Sequence, residues 1–142
     1  GSGEKVIGLS HSGWRGTSLE MIGKVTVEKM EEEFGCDPAD ILGADRTVYL
    51  SGLFMKSVKI YKKFCENYDE ISGPEIFYQK KNGKYQLNLW KANESVFLES
   101  GILPEHIAVT NVCTHCNPDI LFSHRTTGNE RGTLSAFLAL KK

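Results

Sequence analysis

The chain has 142 residues, a length that suits one domain with one core. Hydrophobic residues make up 40% and charged residues 25%, an ordinary globular balance that excludes a disordered or fibrous chain. The formal net charge of −1 excludes a strong electrostatic footprint for nucleic acid or an anionic membrane, and no apolar stretch reaches membrane-spanning length.

In chain order, residues 1–3 lack the basic and apolar regions of a secretory signal. Residues 5–10 form a short apolar run, read as a buried strand. A glycine-rich turn follows from Gly13 to Gly16, and then Thr17 and Glu20 stand at capping-box spacing. This predicts a helix that runs to about Phe34 and stops at Gly35. Residues 47–50 read as a second strand. Phe54, Val58, Tyr61, Cys65 and Tyr68 then mark one face of an amphipathic helix, with Lys56, Lys59, Lys62 and Lys63 on its wet side. Gly73 and Pro74 end it.

Two runs, 76–81 and 84–89, flank Asn82-Gly83 and predict a β-hairpin with a type I′ turn. A helix is expected from about Leu89 to Ser100, with Leu89, Ala92, Val96 and Phe97 inward and Gly101 as its stop. Residues 106–112 read as a strand, 113–119 as a loop, 121–124 as a short strand and 126–132 as a polar turn. The apolar run 133–140 suits a last strand or a helix, since its periodicity fits both. No repeat, low-complexity tract or linker is visible. Strands alternating with helices, plus one hairpin, predict a mixed α/β (α+β) domain over residues 1–142, with helices packed on a mixed sheet.

Four cysteines, Cys36, Cys65, Cys113 and Cys116, stand in a chain too long to need disulfide stapling. Two of them fall in helix-like sequence. The expectation is a reducing compartment, the cytoplasm.

Three groups of residues can carry chemistry. His11 follows a strand at the mouth of a loop that opens a helix, where α/β folds place their sites. Gly13 and Gly16 allow close approach of a ligand, and Arg15 adds a planar charged fork beside a helix N-terminus. A neutral imidazole there binds zinc or acts as a base. The plainer alternative has His11 bonding a carbonyl, Trp14 filling the core and Arg15 paired with an acid. Second, Cys113 and Cys116 have the spacing of two zinc thiolates or a redox dithiol, but no second C-x-x-C exists. His115 and His124 are the candidates to complete such a site; two reduced thiols are the simpler reading. Third, His124 and Arg125 follow a short strand and could face a phosphate or sugar, or solvent. Asp119, Glu130 and Arg131 read as ion-pairing residues, and Trp90 and Tyr85 as core.

The segment His11-Ser12-Gly13-Trp14-Arg15-Gly16-Thr17 resembles the H-A-G-W-R-G-T signature of the laccase-domain, or polyphenol oxidase-like, family of purine nucleoside phosphorylases. Lys84 to Trp90 is similar to the family's K-Y-x-L-D-L-W segment. Cys113 to Asp119 and Leu121 to Arg125 resemble its C-T-x-C loop and F-F-S-H-R strand. The order and spacing of three separate motifs make the resemblance specific. It implies part of an α/β/β/α-layered fold with a mononuclear metal site, usually zinc, with copper as the alternative. It implies purine nucleosides (adenosine, inosine, guanosine and methylthioadenosine) and inorganic phosphate as substrates, with adenosine deamination alongside. His11 inherits the role of metal ligand. Arg15 and Arg125 inherit phosphate or substrate contacts, with Gly13, Gly16 and His124 as substrate-binding neighbours.

The chain resembles only the C-terminal half of the family domain. The family's other two metal ligands, a histidine and a cysteine, precede the signature and correspond to nothing here. Residues 51–54 look shortened against the family's Gly-Pro loop, and Asn88 stands where the family has aspartate. The expectation is a fragment, a degenerate member or a chain whose other half comes from elsewhere, inactive alone, with an exposed apolar face that favours self-association. The competing readings are copper-dependent phenol oxidation, hydrolytic editing of peptidoglycan precursors, a non-catalytic interaction module, and a zinc module on Cys113 and Cys116.

Overall fold

The computed structural model describes residues 5–18, 20–45, 66, 73–83, 85–123, 127–130 and 132–141. Helix α1 spans Trp14–Ser18 and α2 spans Ile22–Phe34. The predicted single helix with a Thr17–Glu20 capping box is therefore two helices. Thr17 already belongs to the first: its N–H donates to the Gly13 carbonyl at 2.8 Å, and its side chain is fully buried. The chain then turns through Met21 in the left-handed region (φ 50°) before α2 starts. The predicted stop holds. Gly35 has φ 63°, its N–H reaches the Glu31 carbonyl at 2.9 Å, and the Cys36 N–H reaches Met30 at 3.3 Å.

Strand β1 (Gly43–Asp45) pairs in parallel with β4 (Ile107–Val109), with Ala44 opposite Ala108. The sequence reading placed no strand at 43–45, since three residues are too few to show a period. A four-residue helix α3 (Gly73–Ile76) leads into β2 (Phe77–Gln79), which pairs antiparallel with β3 (Tyr85–Leu87). The hairpin is where the Asn82-Gly83 signal puts it, but the turn is not type I′. That type needs positive φ at both central residues. Here Gly83 takes φ 75° while Asn82 does not, and the Gly83 N–H closes the turn onto Lys80 at 3.0 Å.

Helix α4 (Leu89–Glu99) follows β3 directly, and Gly101 (φ 91°) lies just beyond its end. It packs on α1, α2, β1 and β4, so it forms the centre of the described structure. The core joins its inner face to the hairpin: Ile76, Phe77, Leu87, Leu89, Ala92 and Val96, with Met21 and Tyr85 against them. Phe77 and Tyr85 stack at 5.1 Å. Helix α2 approaches closely, since a β-carbon on Gly23 would lie 3.1 Å from Val96. Trp90 is buried and Tyr85 half-buried, as core residues should be.

The fold class is mixed α/β, carried by small sheets and packed helices. Two expected elements differ. Residues 5–10, and residues 133–140 that suited a strand or a helix, form no regular element and pair with no strand among the described residues, and their apolar side chains are largely exposed. Helix α2 lies against the first of these at Gly8, where a β-carbon would meet Met30 at 3.1 Å and Thr26 at 3.2 Å, but Ile7 and Leu9 stay exposed. Residues 121–123 also form no strand. The expected strand at 47–50, the shortened loop, and nearly all of the helix over 54–68 with its lysine face lie outside the described residues, as does Arg131. Asp119 and Glu130 are exposed. No helix among the described residues is long and apolar enough to cross a membrane.

Candidate functional site

The signature loop leaves residues 5–10 and turns into α1. His11 is exposed, and its ring folds back over Gly13: a β-carbon there would lie 3.3 Å from Nε2. Gly13 thus gives the imidazole its seat. Gly16 has more room, with the nearest atoms to a β-carbon, the His11 carbonyl oxygen and Ile22, at 3.6 Å. Arg15 is exposed on α1. The Trp14 side chain lies outside the described residues.

The expected helix N-terminus for an anion is much reduced. Helix α1 has five residues, and α2 begins only at Ile22. A macrodipole needs several aligned turns, so Arg15 is the main cationic feature the described loop presents to an anion.

Beneath the loop lies a polar chain that periodicity did not reveal. The Ser12 hydroxyl lies 2.6 Å from Thr17 Oγ1 and donates to Asn93 Oδ1 at 2.9 Å. Asn93 Nδ2 donates to Asp45 Oδ2 at 2.9 Å. Thr17, Asn93 and Asp45 are all buried. The legible signal was Asn93 itself: a polar residue adjoining Ala92 on the inward face of an amphipathic helix needs a partner inside.

His124 and Arg125 lie outside the described residues. On either side of them, the Thr127 N–H donates to the carbonyl of the buried Ser123 at 3.1 Å.

In the C-x-x-C loop, Cys113 is buried and Cys116 exposed, and neither is in a disulfide. Asn117 Nδ2 holds the loop by donating to the Cys113 carbonyl at 2.8 Å. Hydrogen bonding to Cys113 raises the Cys116 thiol above its ordinary value, with desolvation and the charge of Cys113 adding to the effect. A low-pKa redox thiol would show the opposite direction.

Among the described residues, no three His, Cys, Asp or Glu side chains gather in a way that could hold a metal ion. That applies to the Cys113 loop and to His11 alike. The metal site implied by the resemblance is therefore not complete in these residues, and His11 fits as one ligand of such a site only. A separate cleft of about 190 Å³ lies between the start of α4 and the end of β4, lined by Asn88, Trp90, Lys91, Glu94, Val109 and Asn111. No signature residue lines it. The departure at Asn88 has a structural meaning: its Oδ1 accepts the Lys91 N–H at 3.2 Å as the N-cap of α4, a task an aspartate performs equally well.

Comparison with known proteins agrees with the motifs. The profile of the multi-copper polyphenol oxidoreductase laccase family matches residues 2–141. The chain is 28% identical to a Bacillus subtilis protein named purine nucleoside phosphorylase YlmD, over 98% of this chain and 49% of that protein. It is 30% identical to the human purine nucleoside phosphorylase LACC1, over 98% of this chain and 32% of that protein. Among solved structures it superposes on the Bacillus licheniformis hypothetical protein YfiH with a TM-score of 0.73 and 29% identity, covering 84% of this chain and 44% of that one. The chain thus spans about half the length, or less, of these relatives.

Proposed function

The chain belongs to the multi-copper polyphenol oxidoreductase laccase family, and from that premise we propose that it is one half of a purine nucleoside phosphorylase. The observation that carries the reading is the signature loop. It displays His11 and Arg15 together, on a scaffold whose relatives bear the name of that activity.

In phosphorolysis an oxygen of inorganic phosphate bonds to the ribose C1′ while the bond from C1′ to the purine nitrogen breaks. The electron pair leaves with the purine, which takes up a proton. The sugar passes through an oxocarbenium-like state. The site must therefore hold an anion close to a developing cation. Arg15 and Arg125 suit the phosphate, because a guanidinium offers a planar, permanently charged fork to two oxygens. Gly13, Gly16 and His124 border the substrate, and His11 is a metal ligand. Zinc, when bound, would supply Lewis acidity, but one imidazole does not build its site, so no step is assigned to it. The substrates are adenosine, inosine, guanosine and methylthioadenosine, with adenosine deamination as the accompanying reaction. The two further ligands come from polypeptide equivalent to the half of the relatives that this chain does not span. Residues 1–142 form one domain unit that this polypeptide, or a second copy, completes. The described cysteines Cys36, Cys113 and Cys116, none of them in a disulfide, support a cytoplasmic location.

Release of free base from adenosine and inosine, with and without phosphate, tests the reading. The 142-residue chain alone should release none. The same chain supplied with the rest of a family domain should release base only when phosphate is present. Absence of phosphate-dependent release from that completed domain, loaded with zinc, would overturn the proposal.

A second reading follows from the family's description, oxidation of phenols with copper. A multi-copper centre needs several imidazoles in one place, and the described residues do not gather them. Copper-dependent oxygen uptake with a phenol by the completed domain, without base release, would favour it.

A further inference from the structure

We propose that Ser12 and Asn93 are positioning residues for His11, linked in a one-way hydrogen-bond relay that ends on Asp45. This rests on the reading of His11 as a metal ligand.

The directions of the bonds are fixed by elementary donor counting. A carboxylate accepts only, so the atom of Asn93 that faces Asp45 at 2.9 Å is its amide nitrogen. The amide oxygen is then left for Ser12, which must donate to it at 2.9 Å. A serine hydroxyl carries one proton. With that proton committed to Asn93, the 2.6 Å contact to Thr17 is made by the threonine hydroxyl donating to Ser12. The order is Thr17 to Ser12 to Asn93 to Asp45, and each bond polarises the next.

Its burial makes the relay stiff. Thr17 is 0%, Asn93 6% and Asp45 9% exposed. The relay joins three elements: Thr17 on α1, Asn93 at the middle of α4, and Asp45 at the end of β1, whose carbonyl also accepts the Thr110 N–H at 3.2 Å. Ser12 is where this buried lattice meets the signature loop, immediately after His11. The His11 ring is exposed and seated over Gly13. Fixing Ser12 fixes the peptide on either side of it, and so the direction in which the imidazole leaves the loop. Ligand histidines are commonly oriented through their own ring nitrogen. Here the orientation is imposed through the backbone.

The test uses the full 142-residue chain with Ser12→Ala, Ser12→Thr and His11→Ala. Ser12→Ala installs the signature residue, which keeps loss of folding from deciding the result. Two readouts are taken: the His11 side-chain couplings and ring nitrogen signals by NMR without metal, and Zn²⁺ titration followed on the same ring. In the parent chain the couplings should report one dominant χ1 rotamer. In Ser12→Ala they should average over several, Zn²⁺ binding at His11 should weaken by about 10-fold, and Ser12→Thr should restore both. Unchanged couplings in Ser12→Ala overturn the proposal, as does a change that Ser12→Thr fails to rescue. If the ring shows no response to Zn²⁺ even in the chain supplied with the rest of a family domain, the metal reading of His11 fails by itself, and the couplings still decide the positioning role.

Discussion

At the scale of single residues, polar side chains here serve the backbone as much as any ligand. Asn88 shows it: against the family motif it looks like the loss of a carboxylate, while in the structure its side chain caps α4. Asn and Asp are near-equal N-caps, and alanine forfeits about 1 kcal/mol. Urea unfolding of Asn88→Ala should therefore show a loss of about 1 kcal/mol. Asn88→Asp should match or slightly exceed the parent, because a negative charge is favoured at a helix start. A large loss in Asn88→Asp would mean that the amide has a second task, in the cleft it lines. Cys116 gives a prediction in pH. Its thiol is raised, chiefly by its hydrogen bond to Cys113, so the neutral form persists to higher pH than in an ordinary thiol. Only the thiolate reacts, so alkylation of Cys116 should accelerate at a higher pH than that of a free cysteine. Removing the partner in Cys113→Ala should move the profile back down. A Cys116 profile at or below the ordinary thiol range would refute this.

At the scale of elements, what was legible depended on whether the signal was local. The Asn82-Gly83 hairpin and the inward face of α4 are written in the residues that form them, and the structure has both. So is the end of α2 at Gly35, where the positive φ and two backbone bonds from residues 35 and 36 close the last turn. Replacing Gly35 by alanine forces a β-carbon into the left-handed region, where open space does nothing to relieve the strain. The expected cost is about 1 kcal/mol, read as a lowered thermal midpoint, and Gly35→Asn should recover part of it. Equal midpoints for Ala and Gly would show that α2 ends for another reason. Other features were not legible because the deciding contact is remote. The Thr17–Glu20 pattern satisfies a capping box, yet Thr17 is taken by Ser12 and by α1. The three-residue β1 exists because β4 pairs with it from more than sixty positions away in sequence. Asn93 was hidden for the same reason: its partners, Ser12 and Asp45, stand 81 and 48 residues away. Of the candidate site, the signature loop was readable and the lattice beneath it was not.

At the scale of the whole molecule, the described structure has a well-filled interior around α4 and an unfilled exterior at both ends of the sequence. Leu9 is 63% exposed and Phe137 91%, and Ile7, Leu134, Leu138 and Leu140 accompany them. They lie in two segments, one read from the sequence as a strand and the other as a strand or a helix, that pair with no strand among the described residues. Burying one such leucine or phenylalanine is worth about 1.5–3 kcal/mol. The six are already part-covered, at 44–91% exposure, so the gain still open is about half of that per residue, together comparable to the net stability of many small domains, about 5–15 kcal/mol. A partner polypeptide with strands of its own would gain from covering them, and the relatives have about as much chain again with which to do so. The chain alone has its own copies as the next best cover. Sedimentation of the 142-residue chain should therefore show concentration-dependent association. Leu9→Asp with Phe137→Asp should shift it toward monomer while leaving the circular dichroism of α2 and α4 intact. Adding the remaining part of a family domain should suppress self-association in the parent and have little to bind in the double variant. A parent chain that sediments as a monomer at every concentration, with no uptake of a hydrophobic dye, would mean that these segments fold onto the domain in solution and that no partner is required to cover them.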